Sequence, residues 1–196
     1  MARSGAFPWT DPVSKDAALH APELSPGNYT VQAWDAGGRG GAVLLELYDA
    51  GLDEGTSTAA PRLINLSVNT VSGSGPGAMT VGAVVGPRTQ TGSLPLVIRA
   101  VGPGLAAFGL AGVMDDPQLT LYRSGDSSPL GSNDDWGGGA NLAAAFVQVG
   151  AFPLPVGSKD AAIVLPSPGV AAADYSVRVD GKNNATGRVL AEIYDA

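Results

Sequence analysis

Cysteine is absent from the 196 residues, which excludes disulfides, thiolate metal sites and cysteine nucleophiles together and leaves packing as the source of stability. Charge is scarce as well: Asp, Glu, Lys and Arg make up 15% of the chain, with a net charge of −7. No basic stripe is available to neutralise phosphates, so no nucleic-acid partner is expected. No apolar run reaches the length of a membrane span, and no span is predicted. The opening Met1-Ala2-Arg3-Ser4 lacks the apolar core of a signal peptide, so an exported form would have had its signal removed or carried it further upstream. Histidine is limited to His20. A hydrolase needs a nucleophile, a base and an orienting group in mutual reach, and the chain has no Gly-x-Ser-x-Gly elbow. No catalytic residue and no enzyme activity is expected.

What is present points to strands. Apolar residues form 44% of the chain, enough for a real core, and Gly 28 with Pro 15 exceed a fifth of it. These breakers fall between apolar runs, as in many short strands joined by tight turns. The surface left to Ser, Thr, Asn, Gly and Ala suggests an extracellular or cell-surface location.

The chain contains itself in part. Gly5-Ala6-Phe7-Pro8 returns as Gly150-Ala151-Phe152-Pro153, Ser14-Lys15-Asp16-Ala17-Ala18 as Ser158-Lys159-Asp160-Ala161-Ala162, and Glu46-Leu47-Tyr48-Asp49-Ala50 as Glu192-Ile193-Tyr194-Asp195-Ala196. The offsets of 145, 144 and 146 differ by single-residue slips. A search for such repeats precedes any reading of the fold. Residues 1–50 are a partial repeat, or tail half, and 51–60 a small-residue linker. Residues 61–196 form a complete repeat, with a head half at 61–149 and a second tail half at 150–196.

Each tail half carries alternating apolar runs, at 29–34 and 43–48 and again at 175–179 and 189–194, with a weaker element at 17–19 and 161–165. The head offers runs at 63–70, 79–85, 96–101 and 119–122, and two short helix-like pieces at 105–108 and 141–147. The expected fold is all-β, an antiparallel β-sandwich of Ig-like or jelly-roll-like type, with an additional half-module at the N-terminus.

Asn133, Asp134 and Asp135 cluster oxygen ligands in a Gly-flanked loop and form a weak Ca²⁺ candidate, since calcium takes six to eight oxygens. The same residues are preferred turn formers, and a structural turn with Trp136 packed over it is the favoured reading. No other cofactor is expected. Asp115-Asp116-Pro117 reads as a turn before a strand. Ser14-Lys15-Asp16 and Ser158-Lys159-Asp160 recur, which argues for a scaffold role because a fold-determining contact is needed in every copy. Trp9, Trp34 and Trp136 would suit a sugar platform but lie in three separate segments. Gly102-Pro103-Gly104 and Gly137-Gly138-Gly139 lack the Lys and βαβ setting of a phosphate loop.

Arg62-Leu63-Ile64-Asn65-Leu66-Ser67, Ile98-Arg99-Ala100-Val101-Gly102-Pro103, Ser132-Asn133-Asp134-Asp135-Trp136-Gly137 and Gly150-Ala151-Phe152-Pro153 together resemble a β-sandwich repeat of large exported proteins of environmental bacteria. The resemblance spans 61–196 and, partially, 5–50. It implies a surface or extracellular setting and a structural or adhesive role, with no assigned activity. The resulting expectation is a structural module that associates with identical subunits, for which filament formation by strand addition is one geometry. Alternatives are a polysaccharide- or surface-binding adhesion module, acting through loops at one end of the sandwich, and an accessory domain of a secreted enzyme.

Overall fold

The computed structural model describes residues 10–21, 24–48, 62–86 and 93–196. The linker at 51–60, Trp9 and Gly5-Ala6-Phe7-Pro8 lie outside the described residues. The chain divides into two units, Met1–Leu63 and Ile64–Ala196, and each is described by itself.

The second unit is an all-β sandwich, with eight strands among its described residues. In chain order these are β1 (Asn65–Ser72), β2 (Met79–Val85), β3 (Ser93–Val101), β4 (Pro117–Arg123), β5 (Gly131–Asn133), β6 (Ala161–Ala171), β7 (Ala173–Gly181) and β8 (Gly187–Asp195), with one helix, α1 (Ala140–Gln148), between β5 and β6. One sheet runs β1-β8-β3-β6 and the other β2-β7-β4-β5, every neighbouring pair antiparallel. The pairs β1–β8, β2–β7, β3–β6 and β4–β5 are nested, like one long hairpin rolled into two sheets. Of the two sandwich types expected, this is the jelly roll.

The nesting fixes what each half of the repeat does. Strands β1 to β5 belong to the head and β6 to β8 to the tail. Pairs within the second unit join head to tail except β4–β5, and none joins two tail strands. β8 lies between β1 and β3, and β7 between β2 and β4.

Alternation along the strands builds two apolar clusters. Leu96, Ile98 and Ala100 of β3 face the other sheet, together with Leu119, Leu121, Val177, Val179, Val189 and Ala191. Val97 and Val101 of the same strand face outward, yet are fully buried beneath Leu105, Trp136, Phe146 and Leu154. The outer face of this sheet is thus roofed by the 3₁₀ turn Pro103–Phe108, α1 and the segment after it. A strand covered on both sides reads as a continuous apolar run, which is why 96–101 shows little alternation. Edge strand β6 carries Pro166 and Gly169, and a Cβ on Gly169 would meet the Leu94 carbonyl oxygen at 2.0 Å. This irregularity at a sheet edge discourages pairing with other chains.

The first unit corrects an expectation. Among its described residues, 10–21 and 24–48 form turns and extended stretches, with no strand and no helix. The expected strands at 29–34 and 43–48 and the weaker element at 17–19 are absent from these described residues, and the folded N-terminal half-module is not confirmed. Their apolar side chains are open to water: Tyr29 is 59% exposed, Val31 54% and Leu45 54%.

Candidate functional site

The motifs of the repeat converge at the seam between head and tail. Arg99 on β3 points into the outer cluster and is fully buried. Its Nε and Nη2 donate to Glu192 Oε2 on β8 at 2.9 and 2.5 Å, and Nη1 donates to the Phe152 carbonyl at 2.5 Å. The guanidinium lies 4.3 Å from the Phe152 ring centre and 4.9 Å from that of Phe146. Burial satisfied by two bonds to one carboxylate oxygen, by a backbone carbonyl and by aromatic faces is the setting Arg fills and Lys cannot. The Tyr194 hydroxyl donates to Glu192 Oε1 at 2.7 Å. Burial, and next this hydrogen bond to a carboxylate, hold the Tyr194 phenol well above its ordinary value.

A second knot lies beside it. Asp160 is fully buried and accepts the backbone N–H of Gly102 at 2.8 Å and of Gly104 at 3.0 Å. Ser158 Oγ donates to Asp160 Oδ2 at 2.6 Å and accepts Trp136 Nε1 at 3.1 Å. Gly104 has to be glycine, since a Cβ there would sit 2.9 Å from Val101 and 3.0 Å from the Asp160 carboxylate. The Gly102-Pro103-Gly104 turn therefore grips a carboxylate of its own chain. Ser158 and Asp160 are tied up in this network, which leaves them a scaffold role. Trp136, 5% exposed, serves it as well and offers no face to a sugar.

Asp134 and Asp135 do meet a third carboxylate, but it is Asp116 that joins them, with ligand oxygens within 4.8 Å of one another. Asn133 turns elsewhere: its Oδ1 accepts the Ala162 N–H at 2.9 Å and its Nδ2 donates to the Asp135 carbonyl at 3.0 Å. Two ammonium groups already serve the cluster, Lys159 on Asp116 at 2.6 Å and Lys182 on Asp134 at 2.5 Å. The hydrogen bond from Lys182 holds the Asp134 carboxyl below its ordinary value, and the one that Lys159 donates to Asp116 raises Lys159. Three carboxylates could supply oxygens to a hard cation, but the lysines occupy two of them.

Next to this cluster an open groove of about 910 Å³ crosses β4 and β5, lined by Gln118, Thr120, Asn133, Asp134, Asp135 and Asp180 among others. At its rim Asn183 and Asn184 take left-handed backbone conformations, at φ 54° and 61°, which Asn tolerates better than most residues. The groove is polar and has no aromatic floor. Arg178 holds the Asp180 carboxyl below its ordinary value through a bond of 2.5 Å.

Some of this was outside the reach of sequence reasoning. Arg99 stands in an apolar run with its carboxylate 93 residues away, and Asp116 gave only a turn signal. The recurrence of Glu46 and Glu192 before Tyr was the available clue to the seam. Comparison with protein-family profiles, curated proteins and solved structures finds no match to the chain.

Proposed function

We propose that the protein is a structural, self-associating module of an extracellular or cell-surface bacterial assembly, with no catalytic role. The observation that carries this is the seam. A tail half makes no sheet of its own and a head half almost none, so each is completed by strands of the other kind. The chain holds two tails and one head. The spare tail keeps apolar strand sequences exposed, and unpaired strands of this type are templates for other chains. Because every head already has a tail, subunits join by exchanging tails, as in domain swapping, which closes a ring or propagates a filament.

Sedimentation and negative-stain microscopy of the full chain test this reading, with particles larger than a monomer expected. Deleting residues 1–50 should give a soluble monomer. A full chain that stays monomeric at high concentration would overturn it.

The groove beside Asp134 favours a second reading, adhesion to a polysaccharide through polar side chains. A glycan screen would support it if binding is lost on Gln118→Ala or Asp134→Asn with the fold intact. Neither reading calls on calcium: Lys159 and Lys182 already pair with two of the three carboxylates.

A further inference from the structure

We infer that the head half is a seat with two occupants in the same chain, and that residues 10–48 can replace residues 158–194 within it. This goes beyond self-association, because the replacement needs no second molecule.

The inference rests on glycine and on register. Gly187 opens β8 where the head crosses it: a Cβ there would lie 2.5 Å from the Met114 backbone nitrogen and 2.7 Å from its Cα. Only glycine fits that contact. At the offset of the repeat the first copy has Gly41, around which a Cβ would meet nothing within 4 Å. The glycine demanded by the head is thus carried by a segment that, where it stands, does not use it.

Three other seam residues keep their types. Asp16 corresponds to Asp160, Glu46 to Glu192 and Tyr48 to Tyr194. In the second copy Asp160 and Glu192 hold the head, through Gly102, Gly104 and Arg99. In the first copy the same types make only local bonds: Ser14 donates to Asp16, and the Tyr48 hydroxyl donates to Glu46 at 2.9 Å. Val43, Leu45 and Leu47, exposed by 74%, 54% and 54%, occupy the positions of Val189, Ala191 and Ile193, which are buried between the sheets.

Register says which head is reached. Tyr194 pairs with Asn65 at the start of β1, so a seated first copy brings Tyr48 beside Asn65. The sixteen residues 49–64 are chain enough to join two neighbouring positions. The seat is therefore the chain's own head, and residues 158–194 are released when the first copy enters.

Full-length variants test this. Gly187→Val should expel the second copy but keep a cooperative unfolding transition, because the first copy takes the seat. Gly41→Val alone should leave the melting unchanged, and Gly41→Val with Gly187→Val should abolish the transition. Adding Leu45→Cys and Ala100→Cys to the Gly187→Val chain should give a disulfide within the monomer, since Ala191 pairs with Ala100 and Leu45 takes its place. Gly41→Val should lower the yield of that disulfide at least tenfold. Loss of the transition in Gly187→Val alone, with no 45–100 disulfide, would overturn the inference. So would a 45–100 disulfide found only between molecules. Neither outcome touches self-association, which sedimentation of the unmodified chain reads separately.

Discussion

Two related sequences are strands at one end of this chain and, in the described residues, turns and extended stretches at the other. Residues 187–196 and 41–50 share Gly, Val, Leu, Glu, Tyr, Asp and Ala at matching positions, but Gly187–Asp195 is a strand and the described residues 41–48 are not. The difference teaches that strand propensity is a matter of fit to neighbours more than of the backbone's own preference. β8 has β1 on one side and β3 on the other. Among its described residues the earlier copy pairs with no strand.

The comparison can be broken most forcefully at the buried ion pair. Arg99→Ala should strand Glu192 without its partner and destabilise the second unit by about 3–5 kcal/mol in urea unfolding, the usual result of breaking a buried pair. Glu46→Ala, the matching position of the first copy, should leave that unfolding curve in place. Equal losses would mean that the two copies are not in different states. Asp160→Ala comes next, at roughly 3 kcal/mol, because two buried N–H groups lose a charged acceptor, whereas Asp16→Ala should change nothing.

Alkaline pH should separate the copies more gently. The Tyr194 phenol is raised in the folded chain, so its contribution is complete below pH 10 and lost as pH rises beyond the ordinary tyrosine value. Lys159 and Lys182 are raised too, by Asp116 and Asp134, and their contribution fades in the same direction. The Tm of the second unit should fall above pH 10, and Tyr194→Phe should flatten that fall. Acid acts the other way. Asp134 and Asp180 are lowered by Lys182 and Arg178, so what they contribute is complete above the ordinary carboxylate value and lost as pH drops through their folded values. The smallest effect is expected from calcium, which should shift the Tm hardly at all. A clear rise on titration would turn the cluster of Asp116, Asp134 and Asp135 into a metal site.

How far the fold was legible depends on where each residue's partner lies. The two-residue period at 175–179 and the turn residues around it marked β7 correctly, because one face of that strand is buried and the other is not. The period cannot say which strand lies alongside. Hence the sandwich was legible, while the nesting that makes every tail strand dependent on a head strand was not. β5 went unseen because its three residues, Gly131–Asn133, are too short and too polar to show a period. At the site, the recurrence of Ser158 and Asp160 revealed a scaffold role, but neither its target in the Gly102 turn nor the place of Arg99 beneath the aromatic rings. A charge inside an apolar run carries no local sign of a partner brought in by the chain's return.

The nested pairing also sets an order of events during synthesis. Among the described residues, β4 with β5 is the sole pair whose strands both precede residue 161. β1, which starts at Asn65, waits for β8, which ends at Asp195, so the first strand made is closed by the last. Contacts of such long sequence separation fold slowly. Throughout that interval the head leaves the ribosome with its seat open, and the only tail already synthesised is the one at 1–50.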